Sequence, residues 1–77
     1  MIKEQFNQIR IELELNKSQF ALLLKVKQPM IVKWESGERT IPEYIERELE
    51  FFQGLNQTKQ QKYIQEVTNI IHEDRTI

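Results

Sequence analysis

Leu15-Asn16-Lys17-Ser18-Gln19-Phe20-Ala21-Leu22-Leu23-Leu24-Lys25-Val26-Lys27-Gln28-Pro29-Met30-Ile31-Val32-Lys33-Trp34-Glu35-Ser36-Gly37 is the stretch that decides the fold. It opens on a helix-start signal. Asn16 can cap the free amides of a first turn, Gln19 can reach back to it as capping-box partner, and Leu15 can close over Phe20 as a hydrophobic staple. The helix so begun runs to about Leu24. Pro29 has no amide hydrogen and fits only in the first turn of a following helix, so Lys25-Val26-Lys27 must make a tight turn. The next helix therefore starts near Lys27 or Gln28, and Gly37 supplies the left-handed residue that ends it near Ser36. Phe20, Ala21, Leu24, Val26, Ile31 and Trp34 then share one core, with Ala21 small where the second helix crosses closest. This is the pattern of a helix-turn-helix.

Upstream, Ile2, Phe6, Ile9 and Leu13 recur at intervals of four, three and four, the stripe of a helix over roughly residues 2 to 14. Downstream, Thr40-Ile41-Pro42-Glu43 has the form of another capping box with an early proline. The stripe Ile45, Leu49 and Phe52 follows, then Gly54, which predicts a helix over 41 to 53. Thr58-Lys59-Gln60-Gln61 resembles a further start signal, and Tyr63, Ile64, Val67, Ile70 and Ile71 keep helical spacing up to the polar tail His72-Glu73-Asp74-Arg75. No segment alternates with period two for long enough to make a strand, and there is no internal repeat or linker. The expected fold is all-α, five helices in a single domain over residues 1 to 77.

A chain of 77 residues supports one small core and no large catalytic cleft. Its 39% hydrophobic and 30% charged residues are enough for a folded domain, and two Gly and two Pro leave no room for a low-complexity reading. The absence of cysteine excludes disulfides, thiolate zinc sites and cysteine nucleophiles, and suits a reducing compartment; one histidine cannot build a metal cluster. No metal or cofactor is expected. The longest apolar run, Phe20 to Leu24, falls far short of the roughly 20 residues of a membrane helix, and Met1-Ile2-Lys3-Glu4 does not open like a signal peptide. A cytoplasmic protein with no membrane association is the expectation.

The formal charge of −1 hides an asymmetry. From Leu15 to Thr40 five cations (Lys17, Lys25, Lys27, Lys33, Arg39) face two acids, Glu35 and Glu38, whereas from Pro42 to Ile77 four cations face seven acids. The basic segment coincides with the two-helix pattern.

Arg10 to Lys17, Phe20 to Pro29 and Trp34-Glu35-Ser36-Gly37 resemble the Cro/CI repressor family of phage and bacterial DNA-binding proteins, over about residues 6 to 53. The segment Trp34 to Pro42 is also similar to small autoregulators of mobile elements, including anti-CRISPR-associated repressors, and to some antitoxins. The family usually has Gly where this chain has Lys25, and Gln where it has Lys17. The resemblance implies a lambda-repressor-like domain whose second and third helices form the helix-turn-helix, with residues 6–53 as the DNA-binding core and a C-terminal helix over 55–72.

The outward positions of the third helix are Gln28, Pro29, Val32, Lys33 and Ser36. The Gln28 amide matches adenine N6 and N7, Lys33 can reach guanine or a phosphate, and Pro29 and Val32 suit thymine methyl groups. The resemblance places Lys17, Lys27, Ser36, Arg39 and Thr40 against the sugar-phosphate backbone, and makes Arg10 and Glu35 a partly buried ion pair. Two surface charges would be the plainer account of that pair, as a solvated face would be of the lysines. Trp34, in register with Ile31, belongs to the core rather than to a base-stacking surface. His72 in its polar tail needs no role as ligand or switch. Glu43, Glu46, Glu48 and Glu50 lie at helical spacing beside Arg47 with no nucleophile or phosphate loop to serve, so the chain is not expected to be an enzyme.

A helix-turn-helix of this size contacts few base pairs, so a homodimer on a palindromic operator in double-stranded DNA is expected, with half-sites about 34 Å apart. The stripe Tyr63, Ile64, Val67, Ile70 and Ile71, with Phe51 and Leu55, is the expected dimerisation surface; the competing account has that helix fold back over the monomer's own core. The leading expectation is a transcriptional repressor or autorepressor. The alternative is an antitoxin or protein-interaction module whose acidic C-terminal half binds a protein such as a toxin.

Overall fold

The computed structural model describes the backbone of residues 1–76 and the side chains through Asn69. Among the described residues there are five helices and no strand: α1 (Lys3–Glu12), α2 (Lys17–Leu24), α3 (Gln28–Ser36), α4 (Glu43–Gly54) and α5 (Gln57–Thr76). The all-α expectation holds, and no helix among them is long and apolar enough to cross a membrane.

The start of α2 follows the sequence closely. Asn16 Oδ1 accepts the Gln19 amide over 2.8 Å, and Gln19 Oε1 accepts the Asn16 amide over 2.8 Å, satisfying two donors that no helical carbonyl can reach. Leu15 and Phe20 on either side are both buried.

Three helix ends turn on a residue in the left-handed region, and only one of the three is glycine. At Lys25 (φ 60°) the Val26 amide donates to Ala21 O at 2.9 Å and the Lys25 amide to Leu22 O at 3.2 Å. At Glu14 (φ 58°) the same pair of bonds recurs, from Leu15 to Arg10 O and from Glu14 to Ile11 O, so α1 stops at Glu12 instead of residue 14. Gly37 (φ 82°) ends α3, and a side chain there would also press on Lys3 Cδ at 3.2 Å.

Two starts differ from expectation. Pro42 itself, extended at ψ 150°, is the cap of α4, with no side-chain hydrogen bond from Thr40, so the helix begins at Glu43 rather than residue 41. The cap of α5 is Asn56 rather than Thr58: Asn56 Oδ1 accepts the Lys59 amide at 2.9 Å, while Gln60 Nε2 donates to Leu55 O at 2.9 Å and Gln53 O at 3.2 Å. The helix also continues through the polar His72–Arg75 segment to Thr76. Gly54 is the last residue of α4 but takes no left-handed turn; the chain leaves through extended Leu55.

The core gathers Phe6 and Ile9 from α1, Leu15, Phe20, Ala21 and Leu24 around α2, Ile31 and Trp34 from α3, then Ile41, Ile45 and Leu49. Phe6 is its aromatic centre, with its ring 5.0 Å from Phe20 and 5.9 Å, edge to face, from Trp34. Trp34 is 2% exposed, which makes it a core residue as its register with Ile31 requires. Helix α2 packs against α3, α4 and α5, and α1 supports α3 from behind.

Candidate nucleic-acid interface

The chain turns from α2 into α3 within Lys25-Val26-Lys27, and Val26 packs half-buried on the core beneath the turn. Burial of Ile31 and Trp34 fixes the rotation of α3, leaving Gln28, Pro29, Val32 and Ser36 exposed and Lys33 half-exposed. Gln28, Pro29, Val32 and Lys33 line one shallow depression of about 390 Å³ together with Glu38, a residue that the sequence did not single out. A second depression includes Ser36, Arg39 and Thr40, joined by Lys3 from α1. The lysine's approach to Gly37 depends on the α1–α3 packing, for which the sequence holds no local sign.

The expected ion pair is present. Arg10 Nε donates to Glu35 Oε2 at 2.7 Å, its Nη2 to Oε1 at 3.4 Å, and its Nη1 to Leu15 O at 2.9 Å, tying α1 to α3 and to the α1–α2 connection. Lys17 Nζ stands 3.9 Å from the same carboxylate, so this cation is partly held by Glu35 while its side chain stays 42% exposed. None of Lys3, Lys25, Lys27, Lys33 and Arg39 enters an ion pair among the described residues.

Ser36 has its hydroxyl proton committed to Lys33 O at 3.1 Å and accepts the Glu38 amide at 3.3 Å, which shapes the loop after α3. Lys27 precedes α3 as an exposed extended residue, and Thr40 is exposed in the loop before α4. Ser18, also not anticipated, donates its hydroxyl to Gln28 Oε1 at 2.6 Å across the two helices.

No family model matches the chain, and neither a curated protein nor a solved structure matches it at a significant level.

The expected dimerisation residues divide. Val67 is 7% exposed and Ile64 packs half-buried against the core, so both are covered within the chain, where α5 packs on α2. Ile70 and Ile71 lie outside the residues whose side chains are described. Tyr63 is 47% exposed with its ring edge-on to Phe52 at 6.4 Å, and Phe51 is 68% exposed. These two, with Leu22, Leu55, Lys25, Glu48 and Glu66 among others, line a groove of about 590 Å³ between α2, α4 and α5.

Proposed function

We propose that the chain is a sequence-specific DNA-binding regulator, a repressor or autorepressor, in which α2 and α3 form a helix-turn-helix and α3 enters the major groove. The observation that carries this is the mixed face of α3. A polar amide, two apolar groups and a lysine share one exposed depression with Glu38, and of the cations around it Lys3, Lys27 and Arg39 form no ion pair among the described residues. That is the division of labour of a groove reader, with base edges addressed by the centre of the face and phosphates by its rim. The acidic half of the chain lies in α4 and α5, away in sequence from that face, so the net charge of −1 does not oppose binding there.

Gln28, Pro29, Val32 and Lys33 are assigned to bases, and Lys17, Lys27, Arg39, Thr40 and the loop shaped by Ser36 to the backbone, with Lys3 added. A single unit of this size makes few contacts, so the proposal includes a homodimer on a palindrome. With Ile64 and Val67 used within the chain, the mate is assigned to the groove carrying Phe51 and Tyr63. Its lining combines apolar side chains with both charge signs, Lys25 with Glu48 and Glu66, which suits a patch that must meet its own copy across a twofold axis.

Titration of duplexes selected from a randomised pool tests the reading. Gln28→Ala should lose about 1–3 kcal/mol on the selected duplex and little on random DNA. Arg39→Ala should weaken both alike and lower the salt slope by about one. If no duplex binds better than random DNA at moderate salt, the regulator reading is wrong.

A further inference from the structure

Among the described residues, Glu38 is the one acid in the depression that Gln28, Pro29, Val32 and Lys33 line, and it is exposed. Two hydrogen bonds set the loop that carries it. Its own amide donates to Ser36 Oγ at 3.3 Å, and the Arg39 amide donates to Lys33 O at 3.2 Å, which folds the chain back along the last turn of α3. The Glu38 carboxylate enters no ion pair among the described residues, not even with Lys33 in the same depression.

An ionised carboxylate can only accept hydrogen bonds. Water satisfies it while the face is open. Once a groove closes over α3, the carboxylate needs a donor in place of that water, because a charge left unpaired there is costly. Phosphates supply none, and neither do the major-groove edges of guanine and thymine, whose N7, O6 and O4 are acceptors. The base donors of that groove are cytosine N4 and adenine N6. Adenine sets its acceptor N7 beside N6, against the second carboxylate oxygen, whereas cytosine has a C–H beside N4.

Resting on the reading of α3 as the groove-entering helix, we propose that Glu38 is a specificity-determining residue that accepts from cytosine N4. Gln28 opens α3 and Glu38 follows its end, so the two address different base pairs. Glu38 acts against wrong sequences as much as for the right one. On random DNA its charge stands unpaired or near phosphates, so part of the discrimination is a lowered affinity for random duplex.

The test is enrichment of duplexes from a randomised pool by the wild-type chain, Glu38→Gln, Glu38→Ala and Gln28→Ala, followed by competition between duplexes differing at one pair. Cytosine is expected at one pair per half-site, kept in Gln28→Ala and lost in both Glu38 variants. In Glu38→Gln, whose amide can also donate to guanine or thymine, the cytosine-to-guanine ratio at that pair should fall about tenfold while affinity for random duplex rises. If the carboxylate only repelled phosphates or settled on Lys33, both variants would change the affinity for every duplex by the same factor and leave all ratios alone. That result overturns the inference while leaving α3 in the groove, as does any base other than cytosine at the pair that responds to Glu38. A pool from which the wild type enriches nothing overturns both.

Discussion

The carboxylate of Glu35 belongs to α3, takes a guanidinium from α1 and lies within reach of the ammonium at the start of α2. Its side chain is 9% exposed and that of Arg10 19%, so neither charge is rehydrated freely when its partner is lost. Glu35→Ala should destabilise the fold by about 2 kcal/mol, below the range for fully buried pairs because water still reaches one side. Arg10→Ala also frees Leu15 O. Removing both residues should cost less than the sum of the single losses, by about 1 kcal/mol in a double-mutant cycle followed by urea denaturation; additive losses would mean that the two charges act independently. The Lys17 contact, at 3.9 Å and 42% exposed, should add little to stability.

At the level of elements, the ends of α1 and α2 place a charged side chain in the left-handed backbone region that Gly occupies without strain. Glu14→Gly and Lys25→Gly should each stabilise by roughly 0.5–1 kcal/mol, and together additively, since both residues are exposed and their backbone hydrogen bonds persist. Thermal unfolding checks this, and a lower melting temperature in either variant would contradict it. The two turns also mark where sequence reasoning holds. Lys25 was legible because Pro29 leaves so little chain for the turn. Glu14 was not, because the stripe through Leu13 continues past the point where α1 stops and nothing local marks the reversal. Asn56 is by type a somewhat better cap than Thr58, and Gln60 adds to it by bonding back to Leu55 and Gln53, contacts that exist only once α4 is in place. The α3 face followed from the register of Ile31 and Trp34. The Ser18–Gln28 bond and the approach of Lys3 depend on how helices cross, which spacing within one helix does not encode.

Across the whole molecule, α5 spends Ile64 and Val67 on its own core while α4 leaves Phe51 standing out at 68% exposure. Helical periodicity defines such a stripe but not which neighbour covers it. Phe51→Glu should leave the monomer folded, with a stability change within about 0.5 kcal/mol, yet abolish self-association and weaken binding to a palindrome more than to a half-site. Sedimentation of the two forms decides it, and a wild-type chain that stays monomeric at concentrations on the order of tens of micromolar would exclude the groove as a dimer contact. Val67→Asp is unsuited to the same question because it would place a charge in the core. Trp34, finally, is the only tryptophan in the chain, sealed at 2% exposure against the edge of Phe6, on the helix whose opposite face meets solvent. Its fluorescence therefore reports whether the fold is intact and is shielded from anything that merely docks on the outer face of α3; emission that moved on adding a duplex would mean that the helix had shifted in its bed.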